Sequence, residues 1–282
     1  GKGFRSQLIQ KISKHLSLQP TQIHLLAQTI EFVHNASLLH DDLIDRSHLR
    51  RDKTAAWLKY TPEYAVLAGD YLLARVMVNL SRHGNLKLIQ LTSEIISDLL
   101  EGEWIQDSLI EDWDVSAQQL DRVHNLKTAS LFKWCMRAPF IMAENNNEDL
   151  HRNLIEMGSL LGILFQRSDD LLDFNIRNYE GKAVLGDLKS GYMNSFAAFL
   201  THDLDEKMKA QFRKCETLED VYKVIGEDFF FLRLKEFDTH NEKVMALYQH
   251  HLDNLGQYMT ENYEALKADL KQLPQILYWR KV

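Results

Sequence analysis

The sequence predicts an all-α protein: a single large helical bundle around a central cavity, with residues 1–282 forming one domain. Three observations carry this. Apolar residues make up 45% of the chain and recur at three- and four-residue steps through most of it. The 4 prolines and 12 glycines are too few for a turn-rich sandwich or barrel. Alternating apolar and polar runs, the mark of a half-buried strand, are scarce.

The first long helix is expected from Ile23 to Ile44, with Leu26, Ile30, Val33 and Ser37 on its buried face and Thr21 as its N-cap. The same period runs through Leu67 to Leu80, Leu88 to Gln106, Leu120 to Phe140 and Leu150 to Phe174, with Ser116 capping the fourth of these five stretches. Breaks are expected at Thr61-Pro62, His83-Gly84, 111–114, 145–147 and 179–190. From Lys207 onward the chain reads as helical and polar, without a chemical motif.

Charge and cysteine usage narrow the function. The net charge of −7, from 33 Lys and Arg against 40 Asp and Glu, argues against nucleic acid as a partner. Cys135 and Cys215 alone exclude a disulfide scaffold and a Cys-based zinc site, and they fit a reducing compartment. No apolar run reaches the ~18 residues that a membrane span needs. The expected compartment is the cytoplasm, or an organelle if a targeting segment upstream of Gly1 has been removed.

Two acidic clusters share one pattern. Asp41-Asp42-Leu43-Ile44-Asp45 and Asp169-Asp170-Leu171-Leu172-Asp173 each read Asp-Asp-x-x-Asp, and each ends a strongly apolar helix. With 22 aspartates in the chain, chance would supply well under one such pattern. The i and i+4 spacing turns Asp41 with Asp45, and Asp169 with Asp173, to a common face. Like charges so placed repel, more strongly where half-buried, and a divalent cation removes the repulsion. Oxygen-only ligands select Mg²⁺ or another hard ion, which keeps waters and shares its shell with substrate phosphates. The pair of clusters therefore suggests a clamp for a diphosphate.

Such a site also needs fixed cations. Arg50 and Arg51 follow Asp45 closely enough to fold back over it. Lys127 interrupts a mostly apolar helical stretch, either snorkelling or facing a wet cavity. Lys2 and Arg5 open the chain, and Lys182 lies in a loop.

In this order the residues resemble the trans-isoprenyl diphosphate synthases, the family of farnesyl, geranylgeranyl and longer polyprenyl diphosphate synthases. The likeness runs from Gly1 to about Ser195. It rests on Gly1-Lys2-x-x-Arg5, on Glu31-x-x-His34-x-Ala36-Ser37-Leu38-x-His40-Asp41-Asp42-x-x-Asp45, on Arg50-Arg51 and on Gly69-Asp70. It continues through Gly102-Glu103-x-x-Gln106, Lys127-Thr128-Ala129-x-Leu131-Phe132, Phe165-Gln166-x-x-Asp169-Asp170-x-x-Asp173-Phe174 and Gly181-Lys182. By this resemblance, the family's opening helix is expected to be missing before Gly1.

The resemblance implies an Mg²⁺-dependent prenyltransferase that condenses isopentenyl diphosphate with an allylic diphosphate. It implies that Asp41, Asp45 and Asp169 hold Mg²⁺ on the allylic diphosphate, with Asp173 acting through water, and that Asp42 and Asp170 complete the substrate-binding clusters. Arg50, Lys127 and Lys182 would neutralise that diphosphate. Lys2, Arg5, His34 and Arg51 would bind isopentenyl diphosphate, and Thr128 and Gln166 would place oxygens beside the forming carbocation. Small residues at Ala36 and Ser37, one turn before Asp41, imply a medium or long trans-polyprenyl product, with Tyr71, Met77 or Trp134 as other candidates for a pocket floor. A homodimer is expected, with a hetero-oligomer as the alternative.

The chain departs from the family pattern twice. Asp52 stands where glycine follows the paired arginines. Gly191-Tyr192-Met193-Asn194-Ser195-Phe196 stands where the family has Gly-Lys and a Thr-Leu-Pro-like segment, so Tyr192 replaces a diphosphate-binding lysine. Other readings remain open. One is a terpene cyclase or non-standard prenyl-coupling enzyme of the same fold. Another is a non-catalytic synthase subunit. A third is a di-iron bundle built on Glu31-x-x-His34 and Glu148-x-x-His151.

Overall fold

The computed structural model describes residues 3–50, 53–176, 184–259 and 261–279. Helix α1 (Phe4–Ser13) precedes α2 (Pro20–Ile44), whose N-terminus is set by proline at its first position and by a reciprocal Gln19–Gln22 capping box. The expected Thr21 cap is thus displaced by two residues, because Pro20 is already preorganised for the first helical turn. A hairpin of β1 (Leu49–Arg50) and β2 (Lys53–Thr54) follows, with Arg50 paired to Lys53, and then the single turn α3 (Ala56–Lys59).

Thr61 accepts the Tyr64 N–H and Pro62 starts α4 (Pro62–His83), which Gly84 ends in a left-handed conformation. Asn85 caps α5 (Leu86–Ser108) by accepting the Leu88 N–H at 3.0 Å. Ser116 caps α6 (Ala117–His124) through a capping box with Gln119, as expected. The stretch expected as one helix is then broken: residues Asn125–Ala129 form a π-turn before α7 (Ser130–Met142) resumes. Asn147 caps α8 (Glu148–Asp173).

The break expected over 179–190 holds the short α9 (Gly186–Lys189). Beyond it come α10 (Ser195–Thr201), α11 (Glu206–Phe212), α12 (Leu218–Ile225), α13 (Glu227–Asn254), α14 (Tyr263–Leu270) and α15 (Leu273–Trp279). The expectation of an all-α bundle is met, the hairpin being the one sheet among the described residues.

Two apolar cores fill the bundle. One joins α1, α2, α4, α5, α7 and the first half of α8 around Trp134, Phe132 and Phe140. The other packs the second half of α8 on α10, α12 and α13, through edge-on contacts of Phe196 with Phe174, Phe230 and Phe237. Helix α8 crosses both cores. Gly162 on α8 lets Ala129 of the π-turn approach so closely that an added Cβ would lie 2.3 Å from its Cα. From the other side, Gly102 on α5 makes the same allowance for Lys127. The π-turn is gripped between two helices, and this fixes where its side chains point.

Candidate active site

The first acidic cluster closes α2. Asp45 is the C-cap residue, and its N–H donates to the Asp41 carbonyl at 2.8 Å, so the i to i+4 pairing persists to the end of the helix. Asp42 points the other way and is buried. The hairpin brings Arg50 back onto it, with Nε 2.8 Å from Oδ1 and an Nη2 contact to the same oxygen. Arg50 is thus engaged with the acid in the middle of the cluster.

The second cluster closes α8. Asp173 is buried, and one of its oxygens, Oδ1, accepts the Asp187 N–H at 3.2 Å. The other, Oδ2, is buried without a hydrogen-bond donor among the described residues. Asp169 is the more open member. Asp170 is 2% exposed and wholly engaged with the protein. Its Oδ1 accepts Gln166 Nε2 at 2.9 Å, and its Oδ2 accepts both the N–H and the hydroxyl of Ser195, at 2.9 and 2.5 Å. The middle aspartate of each cluster is therefore held by the protein; of the outer members Asp45 is exposed, Asp41 and Asp169 are half-buried, and Asp173 is buried.

The π-turn joins the two clusters. Lys127 pairs with the buried Glu103 of α5, and both lie against Asp41. The adjacent Thr128 donates its hydroxyl to Gln166 Oε1 at 2.9 Å, and Gln166 in turn holds Asp170. Consecutive residues thus serve opposite clusters, Lys127 through its charge near Asp41 and Thr128 through Gln166. Two further side chains lie on the second side. Asn194 donates to Asp187 Oδ2 at 2.9 Å, and His124, 3% exposed, has Nε2 3.9 Å from Asp170 Oδ2.

The electrostatics follow from this crowding. Burial pushes the Asp41 carboxyl up to about 7, against the pull of Lys127 and with the Glu103 charge adding to the rise. Burial also lifts Asp45, with Lys127 opposing. Burial and then the Asp187 charge carry Asp173 up to about 7. A set of oxygen donors that resists ionisation, one of them a buried oxygen lacking a donor, fits a hard divalent cation. Tyr192 is held well above the usual phenol range by burial and by the charges of Asp170, Asp187 and Glu103. At the position of the family lysine, this chain presents an uncharged hydroxyl to acidic neighbours.

The remaining expected residues are placed as follows. Arg5 on α1 lies over the Phe132 ring at 5.5 Å. His34 is half-buried on α2, where its carbonyl accepts the Ser37 hydroxyl at 2.9 Å. Ala36 is fully buried, whereas Ser37 is partly open. Trp134 is buried in the first core with its Nε1 donating to Thr92, and Met77 packs on that core. Tyr71 is 63% exposed on α4, so the described chain does not use it as a floor. Lys2, Arg51, Asp52 and Lys182 lie outside the described residues.

The di-iron reading is not supported by the geometry. Glu148 is exposed in the first turn of α8, and His151 directs Nε2 to the Asn145 carbonyl at 2.8 Å. Among the described residues no three His, Cys, Asp or Glu side chains converge as a ready-made metal cage.

Glu103, Asn194 and Ser195 stand in the quoted sequence patterns without a role, and His124 and Asp187 carry no expected role either. The Gly158 and Gly162 pair, four residues apart on α8, was the available sign of a close helix approach. The polar set that braces α8 was also missed. In it, Arg167 Nη1 donates to Asn241 Oδ1 at 3.0 Å, Asn241 donates to the Tyr278 hydroxyl, and Ser168 donates to the Tyr278 carbonyl at 2.7 Å.

Comparison with known proteins agrees with this arrangement. The family model described as polyprenyl synthetase matches residues 1–225. The octaprenyl diphosphate synthase of Escherichia coli (strain K12) is 33% identical over 192 residues, covering 68% of this chain and 59% of the relative. The chloroplastic solanesyl diphosphate synthase 1 of Arabidopsis thaliana is 32% identical over 220 residues, covering 77% of this chain and 54% of its own length. The chain thus spans little more than half the length of these curated relatives. The crystal structure of a decaprenyl diphosphate synthase from Rhodobacter capsulatus superposes with a TM-score of 0.86 at 25% identity, covering 99% of this chain and 86% of that one. Two Asp-Asp-x-x-Asp helix ends, bridged by one π-turn and matched along four-fifths of the sequence, place this chain in the polyprenyl synthetase family.

Proposed function

We propose that the chain is an Mg²⁺-dependent trans-prenyltransferase. In this reading it condenses isopentenyl diphosphate with an allylic diphosphate to give a trans-polyprenyl diphosphate of medium or long chain. The observation that carries the reading is the π-turn, whose Lys127 belongs to one acidic cluster and whose Thr128 is tied to the other. The names of the octaprenyl, solanesyl and decaprenyl relatives support the product class. The small Ala36 and Ser37 before the first cluster are consistent with it.

In this reading Asp41, Asp45 and Asp169 hold Mg²⁺, with Asp173 acting through water. When bound, Mg²⁺ supplies positive charge to the departing diphosphate. The chain's own residues do the remainder. Lys127, released from Glu103 or shared with it, places a fixed cation where negative charge develops on the leaving group. Arg50 and Lys182 act in the same sense, and Tyr192 contributes a hydroxyl in place of the family lysine. Arg5 and His34, with Lys2 and Arg51, hold isopentenyl diphosphate so that its double bond lies beside the allylic carbon, which supplies the orientation part of the rate. Thr128 and Gln166 turn oxygen toward the carbon that becomes positive.

Residues 1–282 act as one domain. The exposed apolar side chains Tyr64, Leu67 and Tyr71 on α4 and Leu100 and Trp104 on α5 support a homodimer. Among the described residues no helix is long and apolar enough to cross a membrane. The compartment is the cytoplasm, or an organelle as for the chloroplastic relative. The test is incubation of purified protein with labelled isopentenyl diphosphate and a panel of allylic diphosphates, with Mg²⁺ or with a chelator. Mg²⁺-dependent extension is expected, and Asp41→Ala or Asp169→Ala should abolish it with helical circular dichroism retained. Absence of extension with every primer would reject the reading.

A further inference from the structure

Gln166 stands between Thr128 and Asp170, and the chemistry of its neighbours decides which way its amide faces. A carboxylate only accepts hydrogen bonds, so the end of Gln166 on Asp170 Oδ1 is the NH₂ group. The amide oxygen is then turned to Thr128, and the Thr128 hydroxyl must donate to it. With its proton committed there, Thr128 presents lone pairs in its remaining directions. An electron-poor carbon beside it would meet lone pairs, whereas a reversed amide would turn the hydroxyl proton toward that carbon.

The orientation of this relay depends on how firmly Asp170 is held. Among the described residues its Oδ2 is fixed by Ser195, through the main-chain N–H at 2.9 Å and the hydroxyl at 2.5 Å. Asn194, the N-cap residue of α10, anchors the same segment by donating to the Asp170 carbonyl at 3.4 Å and to Asp187. His124 lies farther off, at 3.9 Å. Ser195 belongs to the segment that departs from the family's Thr-Leu-Pro-like pattern.

We propose that Ser195 is a positioning residue for prenyl transfer: through Asp170 and Gln166 it sets the Thr128 hydroxyl so that an oxygen lone pair faces the reacting carbon. This rests on the prenyltransferase reading above. The experiment compares steady-state kinetics of the wild-type chain, Ser195→Ala and Ser195→Thr with isopentenyl diphosphate and the best allylic primer. Ser195→Ala keeps the N–H bond and loses the hydroxyl. It is expected to lower kcat about tenfold or more while leaving both KM values within about threefold, the signature of a lost transition-state interaction. Ser195→Thr retains both donors and should restore kcat to within about threefold of wild type.

A second measurement asks whether the effect passes through Thr128. Ser195→Ala combined with Thr128→Val should be no slower than Thr128→Val alone, because residues acting in series are not additive. An unchanged kcat in Ser195→Ala, or additive losses in the double variant, overturns the role. So does a Ser195→Thr protein that is as slow as Ser195→Ala with an equal fall in Tm. A wild-type chain that extends no primer overturns the prenyltransferase reading together with this one. Extension by wild type with an indifferent Ser195→Ala overturns only the positioning.

Discussion

Gly162→Ala separates a local rule from the tertiary structure by the sign of its effect. Glycine inside a helix costs ~1 kcal/mol relative to alanine, so propensity alone predicts stabilisation by about that amount. The structure predicts the reverse. The new Cβ would stand 2.3 Å from Ala129 Cα, 2.4 Å from its Cβ and 2.8 Å from its N. Carbon pairs pack at ~3.5–4.0 Å, so α8 and the π-turn must part by roughly 1.2 Å. Two of the three opposing atoms are main chain, which cannot rotate away. Overpacking of this kind costs ~1–3 kcal/mol, and the upper end applies here. Net of the propensity gain, the variant should lose ~2 kcal/mol and melt about 3 °C lower.

The displaced segment carries Lys127 and Thr128, and a shift near 1 Å at a reacting group costs ~10²-fold in rate. Thermal unfolding and prenyl-transfer kinetics read the two effects. Gly84→Ala is the control. Nothing lies within 4 Å of its added Cβ, but φ is +83°, so ~1 kcal/mol should be lost with kcat unchanged. A Gly162→Ala protein with a raised Tm, or with kcat within twofold of wild type, would refute the reasoning.

Two further outcomes follow from buried charge. His124 is held neutral by burial, with its pKa brought down to about 4 from an ordinary 6.5. The unfolded chain therefore binds more protons between those values, and this group's contribution of ~3 kcal/mol is lost as pH falls from 6.5 toward 4. Asp41 and Asp173, raised to about 7, bend the profile the opposite way, since their contribution falls as pH rises from about 4 to 7. The measurement is thus the difference between wild type and His124→Gln in denaturant melts at pH 5 and pH 7, with the gap between the two proteins expected to shift in favour of wild type at the higher pH. Arg50→Ala strands the buried Asp42 carboxylate and should cost ~2 kcal/mol, a value reduced from the fully buried case because Arg50 is partly exposed. Adding Asp42→Asn should recover at least half of that loss in the same melts.

Much of this site was legible because its chemistry repeats a short pattern. The two Asp-Asp-x-x-Asp helix ends, Arg50 folding back over the first of them, the break at Thr61-Pro62 and the cap at Ser116 all follow from local spacing. What escaped depends on approach between distant segments. The stretch from Leu120 to Phe140 keeps a helical apolar period, so the five-residue loosening at Asn125–Ala129 leaves no mark in composition; Gly102 and Gly162 allow two helices to close on it from either side. The twinned clusters also concealed that their middle members are braces, since Asp42 and Asp170 look identical to their neighbours until Arg50 and Ser195 are seen to occupy them. The polar C-terminal third showed no motif, yet Asn241 and Tyr278 hold Arg167 and Ser168 directly beneath the second cluster.

The exposed indole of Trp104, 73% open to solvent, follows Glu103 immediately in α5. One residue looks outward and its neighbour inward to Lys127. Whatever body comes to rest on that indole will bear on the helical turn that anchors the lysine. In the homodimer proposed above, the outer wall and the inner charge would share this one turn, and dilution that bares the wall is predicted to weaken diphosphate binding.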